Sequence, residues 1–320
     1  MPTPTTRTIV MTGATRGIGL EAAQELLRRS PETHLVVLAR ADSAAQVLPR
    51  LRATSPHVSA IEADLASTAS TGTAASRVED LLDAGGLPPL GGMVFNAGVH
   101  LDSAVHTTVD GYETTFAVNV LATHLLLRGL PPHLRAPARV VVTVSDAHFG
   151  DLRHTGGAFP ATGWTSPDVL FRPGAYPRPT RVRAGRRAYA TSKLGGIHLV
   201  HEWARRLPSG IDVVAHNPSL VIGTGLAREA GGASAFLMRY LVPALALTPL
   251  VDTPPVAGRR LADVVLGVTP APTGSYVHRT RVTSSSRESY DAGREEELWA
   301  WLEQTARDVD DGSCGVPGAG

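Results

Sequence analysis

The sequence predicts an α/β protein, a doubly wound parallel sheet of about seven strands flanked by helices and folded as a single domain. Short, nearly all-apolar runs rich in β-branched residues recur along the chain, as expected of strands that are covered on both faces. Helical patterns with short connections lie between them, which favours parallel pairing. The predicted strands cover residues 8–11, 34–38, 58–61, 92–95, 140–144 and 211–215.

Composition excludes several classes of protein. The 320 residues are 43% hydrophobic and 18% charged, which is typical of a globular chain. A net charge of +1 gives no electrostatic reason to bind nucleic acid or an acidic membrane. The single cysteine, Cys314, cannot form an internal disulfide. Without a signal-peptide core at the N-terminus or a run of ~20 apolar residues, we expect a cytoplasmic protein with no membrane span.

Two segments interrupt the strand–helix alternation. Residues 147–187 are rich in Gly, Pro and Arg and predict a long loop or insertion, whereas residues 312–320 predict a disordered tail. Strand and helix resume after the insertion, so we assign one domain to residues 1–311. A helix at about 225–250 either covers the substrate pocket or packs on the core.

A glycine-rich turn follows the first strand. Residues 12–19 read T-G-A-T-R-G-I-G and lead into a helical stripe that ends before Pro31. Such a turn lets the backbone approach a pyrophosphate while the helix N-terminus supplies N–H groups and positive dipole. The residues assigned to this cradle are Gly13, Thr15, Arg16, Gly17, Ile18 and Gly19.

The T-G-x-x-x-G-x-G spacing, with further motifs in order along the chain, resembles the short-chain dehydrogenase/reductase superfamily and its Rossmann-like fold. The long segment before Tyr189 and three short motifs narrow the resemblance. The motifs are Ser145-x-Ala147-His148, Glu202-x-Ala204-Arg205-Arg206-Leu207 and Glu297-Leu298-Trp299. Within that superfamily, they make the chain most similar to retinol dehydrogenases and protochlorophyllide reductases. The resemblance implies a nicotinamide cofactor and adds binding residues outside the turn. These are Asp64-Leu65 after the third strand, Asn96-Ala97-Gly98 after the fourth, Pro218 after the sixth, and Thr224.

The charge near the second strand predicts which cofactor binds. An acidic residue at the end of that strand would bind the ribose hydroxyl of NAD, whereas arginine accommodates the 2′-phosphate of NADP. Arg40 stands at this end and Arg16 lies in the glycine-rich turn, while Asp42 is expected to cap the next helix. We therefore expect NADP(H).

Tyr189 and Lys193, in a helix predicted over 188–207, share one helical face. A nearby ammonium would lower the pKa of the tyrosine and suit it to proton transfer. Lys193 is also the one lysine among 30 basic residues. The resemblance implies that Lys193 binds the nicotinamide ribose as well, that Tyr189 contacts the cofactor, and that Asn119 holds a water in a proton relay.

The resemblance places a catalytic residue after the fifth strand, and the register leaves two candidates for this position, Ser145 and Asp146. We favour Ser145, because a neutral hydroxyl can donate to a carbonyl oxygen whereas an ionised carboxylate would repel the developing oxyanion. His148 and His154 lie nearby without partners at metal-ligand spacing, so no metal is expected.

The segment before Tyr189 also carries many arginines and aromatic residues. The arginines suit either an acidic substrate or carrier or, more simply, a solvated loop in an Arg-rich protein. The aromatic residues could form a pocket wall over the nicotinamide. The arginines are Arg172, Arg178, Arg181, Arg183, Arg186 and Arg187; the aromatic residues are Phe149, Phe159, Trp164, Phe171 and Tyr176.

The expected activity is hydride transfer between NADP(H) and a carbonyl or secondary alcohol of a small organic substrate, with Tyr189 as general acid–base. One alternative is a catalytically silent dinucleotide-binding sensor or scaffold on the same fold. Another is a nucleotide-sugar epimerase or dehydratase, which would need a larger C-terminal part than the sequence offers. The Arg-, Ala-, Gly- and Pro-rich composition suggests a GC-rich bacterium and its secondary metabolism. The resemblance, with an insertion before Tyr189 like that of monomeric carbonyl reductases in the superfamily, implies a monomer or a homodimer.

Overall fold

The computed structural model describes residues 5–221 and 251–311. Three sequence predictions fall outside these ranges: the cofactor contact at Thr224, the helix at about 225–250 and the tail at 312–320.

The described residues form one eight-stranded sheet in the order β3-β2-β1-β4-β5-β6-β7-β8. Strands β1 to β7 are parallel and β8 pairs antiparallel with β7. The predicted doubly wound sheet of about seven strands is confirmed, with β8 as an addition at the edge. The strands are β1 Arg7–Thr12, β2 Thr33–Ala39, β3 Val58–Glu62, β4 Leu90–Phe95, β5 Leu134–Thr143, β6 Ile211–Asn217, β7 Tyr276–His278 and β8 Arg281–Thr283.

Helices connect the strands and cover both faces of the sheet. A π-helical segment, Ala117–Leu121, joins α4 to α5 in one continuous run. Short 3₁₀ helices lie at Pro131–His133, Asp146–Phe149 and Arg287–Tyr290. The α-helices are α1 Gly17–Arg29, α2 Ala41–Arg52, α3 Thr68–Asp83, α4 Thr114–Phe116, α5 Ala122–Arg128, α6 Leu152–Thr155, α7 Pro167–Leu170, α8 Val182–Arg206, α9 Pro254–Val265 and α10 Ala292–Asp310.

Alternation along the strands divides the core into two layers. In β1, Ile9 and Met11 pack toward α1, α2 and α9, whereas Val10 packs toward α3, α5, α8 and α10. Because successive side chains of a strand point to opposite faces, a strand covered by helices on both sides must be apolar at nearly every position. This explains the apolar runs from which the strands were predicted.

Helix α8 begins at Val182, six residues before the predicted start at 188, so the predicted insertion 147–187 is too long at its C-terminal end. That segment also contains α6 and α7. The first turns of α8 carry no apolar stripe, which is why the sequence pattern missed them. They pack through small residues instead: a Cβ built at Gly185 would lie 2.3 Å from the carbonyl oxygen of Leu101.

Candidate active site

The glycine-rich turn lies between β1 and α1 and is too tight for side chains. Gly13 has φ +68°, and a Cβ built there would come within 2.5 Å of the Ala97 nitrogen. A Cβ at Gly19 would lie 1.9 Å from the Gly13 carbonyl oxygen. Strand, turn and helix can therefore pass this closely only with glycine at both positions, as a backbone cradle for phosphate requires.

The N-terminus of α1 is suited to an anion. Arg16 is its N-cap and makes no side-chain capping hydrogen bond, and no acidic residue lies in the first turn. The first N–H groups of an α-helix have no intrahelical acceptor, so those of Gly17, Ile18 and Gly19 can meet a phosphate beside Thr15. This part of the chain fits the pyrophosphate of a dinucleotide.

Asn96 ties the ends of three neighbouring strands together. Its Nδ2 donates to the Gly13 carbonyl oxygen at 3.1 Å, and its Oδ1 accepts from Thr143 Oγ1 at 3.2 Å. The Ala97 N–H donates to Thr12 Oγ1 at 3.2 Å. The amide thus positions the cradle relative to the carboxyl ends of β4 and β5, where ligands bind in sheets of this type.

Arg16 and Arg40 follow the adjacent parallel strands β1 and β2 at the same sheet edge, and both are exposed. Within residues 5–221 and 251–311, neither guanidinium forms a hydrogen bond or ion pair with the protein. Asp42 lies inside the first turn of α2 and does not cap it; the N-cap is Arg40, without a side-chain hydrogen bond. The two guanidinium groups are therefore available to an anionic ligand.

The remaining residues assigned to the cofactor line the same edge. After β3, the Asp64 N–H donates to Ser70 Oγ at 2.9 Å, and half-buried Leu65 packs against the core. After β6, Pro218 precedes Ser219, whose φ of +67° is the left-handed conformation that glycine adopts without strain. The Ser219 N–H donates to Asn217 Oδ1 at 2.9 Å, which holds this turn.

Tyr189 and Lys193 lie one turn apart on α8, as predicted, and both are buried. Lys193 Nζ is 5.6 Å from the centroid of the Tyr189 ring and donates to the Thr143 carbonyl oxygen at 3.0 Å. A Cβ at Gly98 would lie 3.2 Å from the same Nζ, so the glycine makes room for the ammonium.

Burial controls the ionisation of both groups. It raises the pKa of Tyr189 to about 12, against a smaller opposing effect of the hydrogen bond with Ser145. It lowers the pKa of Lys193 to about 8. The pKa of Tyr189 is therefore raised in the protein by itself, because desolvation disfavours the phenolate. A lowering of this pKa by the Lys193 ammonium stays a prediction. Tyr189 is a protonated phenol at neutral pH.

The side chains at 145 and 146 point in different directions. Ser145 lies within hydrogen-bonding reach of Tyr189 and also accepts from the Ala147 N–H at 3.2 Å. Asp146 Oδ1 instead accepts from Asn217 Nδ2 at 2.6 Å and from Tyr276 Oη at 3.1 Å. The register that the sequence left open thus places the hydroxyl, and not the carboxylate, beside the tyrosine.

Asn119 lies in the π-helical segment, and its side chain is fully engaged. Its Oδ1 accepts from the Val99 N–H at 2.9 Å, while its Nδ2 donates to the Val99 carbonyl oxygen at 3.1 Å and to Ser192 Oγ at 3.0 Å. The amide therefore fastens the loop after β4 to α8. A proton-relay role for Asn119 stays a prediction.

Two rings flank Tyr189, and sequence reasoning identified only one of them. The Phe159 ring centroid lies 5.4 Å from that of Tyr189, and the His100 centroid lies 4.8 Å from it. His100 was missed, although it follows the N-A-G segment by two positions. The other four aromatic residues of the predicted pocket wall do not pack against Tyr189. Phe149, Trp164 and Phe171 contact other rings, and Tyr176 is buried elsewhere.

The described residues also bear on metal binding and on membrane crossing. In residues 5–221 and 251–311, the His, Cys, Asp and Glu side chains form no group of three or more that could hold a metal ion. None of the helices in these ranges combines the length and apolar character that crossing a bilayer requires.

Comparisons with known proteins identify the family. A family model described as short chain dehydrogenase matches residues 7–156. Human retinol dehydrogenase 13 is 30% identical over 314 residues, covering 92% of this chain and 82% of that protein. DnrU of Streptomyces sp. strain C5, named as a candidate daunorubicin C-13 ketoreductase, is 29% identical over 300 residues, with 92% and 90% covered.

Two other matches cover different shares of this chain and of the matched protein. Oxidoreductase calI of Penicillium decumbens is 29% identical over 238 residues, which span 72% of this chain but 62% of that protein. The solved structure of an NADPH-bound carbonyl reductase from chicken fatty liver has a TM-score of 0.59 at 20% identity, covering 88% of this chain and 100% of that one. The sheet order, the glycine cradle and the similarity to retinol dehydrogenase 13 over most of both chains agree: the chain belongs to the short-chain dehydrogenase/reductase superfamily, in its retinol dehydrogenase-like branch, and is an oxidoreductase.

Proposed function

We propose that the protein is an NADP(H)-dependent reductase that interconverts a carbonyl group and a secondary or primary alcohol on a small organic substrate. The convergence of Ser145, Tyr189 and Lys193 beside the glycine cradle carries this proposal. Two hydroxyls and a buried ammonium at the carboxyl edge of a parallel sheet are the groups that carbonyl reduction needs next to a dinucleotide.

The roles of the three side chains follow from their chemistry. The substrate carbonyl oxygen accepts hydrogen bonds from Ser145 Oγ and Tyr189 Oη, which stabilise the negative charge that develops on it. The proton of the Tyr189 phenol then moves to this oxygen, and in alcohol oxidation the same proton returns. A bound nicotinamide supplies or accepts the hydride. Lys193 stabilises the phenolate left on Tyr189 through its positive charge.

The preference for NADP(H) rests on Arg16 and Arg40. Both guanidinium groups are exposed at the sheet edge beside the cradle and have no carboxylate partner among the described residues. Arginine binds phosphate through two parallel charge-assisted hydrogen bonds, and a 2′-phosphate distinguishes NADP from NAD. The name of the chicken relative, an NADPH-bound carbonyl reductase, supports the same assignment.

The choice of a ketone or aldehyde as substrate rests on chemistry and on relatives. Hydroxyl donors placed for an oxyanion suit a C=O group, and DnrU, which matches over most of both chains, is named as a candidate ketoreductase. An intact set of Ser145, Tyr189 and Lys193 also favours an enzyme over a silent dinucleotide sensor.

The test is cofactor consumption over a panel of ketones and aldehydes with NADPH and with NADH. Tyr189→Phe should lower turnover by about 10²–10⁴-fold, because it removes the general acid and leaves the ring. Tyr290→Phe is a matched control, since it removes a phenol that is 56% exposed and lies outside the site. Full activity of Tyr189→Phe would contradict the catalytic assignment, and equal or better kcat/KM with NADH would contradict the cofactor assignment.

A further inference from the structure

An aromatic wall stands beside Tyr189, and the proposed reaction does not account for it. The rings of His100 and Phe159 lie 5.4 Å apart, and each packs against Tyr189. Burial, with a smaller effect from Arg186, lowers the pKa of His100 to about 4, so this ring is neutral at physiological pH. The wall is therefore an uncharged surface suited to a planar substrate body.

Arg186 lies close to this wall, and its charge acts on His100. It precedes Tyr189 by three residues on α8, so the two side chains leave the same helix face at positions about 4.5 Å apart along the axis. Its Nη1 donates to the carbonyl oxygen of Ala158 at 3.2 Å, next to Phe159. The guanidinium is therefore held beside the wall, with donors to spare.

The charges around Arg186 leave it without an ion-pair partner. In the described ranges it forms no salt bridge. Asp102 is an acidic residue whose charge acts on His100, and its carboxylate is hydrogen-bonded to His106 Nε2 at 3.1 Å. Other residues of the first turns, such as Arg183, are exposed and basic, so they leave the local potential positive.

We propose that Arg186 forms an anion subsite and that the preferred substrates are planar carbonyl compounds carrying a carboxylate. The carbonyl group of such a substrate lies at Tyr189, its planar part packs along His100 and Phe159, and its carboxylate binds Arg186. This inference rests on the proposed reductase function. The planar guanidinium of Arg186, which is half-buried beside the His100 and Phe159 rings, can bind a carboxylate through two parallel hydrogen bonds, which a neutral substrate cannot match.

The test compares substrates that differ only in charge. The NADPH-dependent reduction of 3- and 4-formylbenzoate is measured against that of their methyl esters. We expect one acid, at least, to have a kcat/KM about ten-fold above its ester, a factor that corresponds to about 1.4 kcal/mol. Raising the salt concentration should raise KM for that acid and leave KM for the ester unchanged, because added ions screen an exposed ion pair.

Variants assign the effect to one side chain. Arg186→Gln should bring the acid-to-ester ratio of kcat/KM close to one, mainly through KM for the acid, because the lost contact acts on ground state and transition state alike. Arg186→Lys should retain part of the ratio. Arg183→Gln removes an equal charge from the same helix at an exposed position and should leave the ratio as in the wild type.

A second readout does not depend on turnover. With saturating NADP⁺, benzoate should bind more tightly than benzamide by calorimetry, and Arg186→Gln should abolish the difference. The subsite is refuted if acids and esters are reduced alike, if neither is reduced while other ketones are, or if Arg186→Gln keeps the wild-type ratio. Failure of the whole ketone and aldehyde panel would instead refute the proposed function.

Discussion

Replacing Lys193 with methionine should stabilise the fold at neutral pH while it removes activity. Lys193 is 6% exposed, and its Nζ has one hydrogen bond, 3.0 Å long, to the Thr143 carbonyl oxygen. Burial of an ammonium opposes its charged form, and methionine has a similar length without the charge. We therefore expect the buried ammonium to destabilise the fold, and its proposed role in stabilising the Tyr189 phenolate would account for its presence.

The magnitude follows from the pKa of Lys193. Burial lowers it from 10.5 to about 8. At 1.36 kcal/mol for each pKa unit, keeping the ammonium protonated in the folded protein costs about 3 kcal/mol near pH 6.5. The variant avoids this cost, but loss of the hydrogen bond to the Thr143 carbonyl oxygen lowers its stability by about 1 kcal/mol. We expect the variant to be more stable by about 2 kcal/mol at that pH.

The pH dependence distinguishes this cause from general repacking. Between pH 8 and 10.5 the unfolded chain holds the lysine proton and the folded chain does not, so wild-type stability rises with pH. The advantage of the variant should therefore shrink across this window. Tyr189 titrates at higher pH, near 12, and is present in both proteins, so its effect cancels in the difference. The chain has no other lysine to obscure the result.

The assay is urea denaturation of both proteins at pH 6.5 and 10. Lys193→Arg is the matched control, since arginine stays protonated throughout and should show no such change with pH. The reasoning is refuted if Lys193→Met is less stable than the wild type at pH 6.5, or if the difference between them is the same at both pH values.

Two glycine-related predictions concern the backbone at the site. Gly19→Ala should weaken dinucleotide binding and destabilise the fold by about 1–3 kcal/mol, because its Cβ would overlap the Gly13 carbonyl oxygen. Gly72→Ala is the control in α3, where no atom lies within 4 Å of the built Cβ. It should raise the free energy of unfolding, measured by denaturation, by about 0.5–1 kcal/mol. At position 219, where φ is +67°, glycine should be more stable than alanine by about 1 kcal/mol, and equal stability of Ser219→Gly and Ser219→Ala would contradict the strain.

The sequence predicts strands whose burial requires apolar residues, and it does not predict the exposed strand β8. Strands β1, β2, β4 and β6 are buried at nearly every residue and appear in the sequence as apolar runs, as do residues 140–142 of β5. The edge strand β3 is buried only at Val58. Strand β8, Arg281–Thr283, is exposed at all three residues, so it carries no apolar pattern. The start of α8 was missed for a related reason, since Gly185 packs by close backbone approach, which hydrophobic periodicity does not register.

By itself, the sequence determined the sheet, the glycine turn and the Tyr189–Lys193 pair, because each depends on residues close together in the chain. Tertiary structure decided what depends on distant segments. It placed Ser145 toward Tyr189 and Asp146 toward Asn217, and it buried Tyr189, which raises the pKa of the phenol. It also brought His100, Phe159 and Arg186 to one rim, since side chains from three separate segments meet only when the sheet and its loops are assembled.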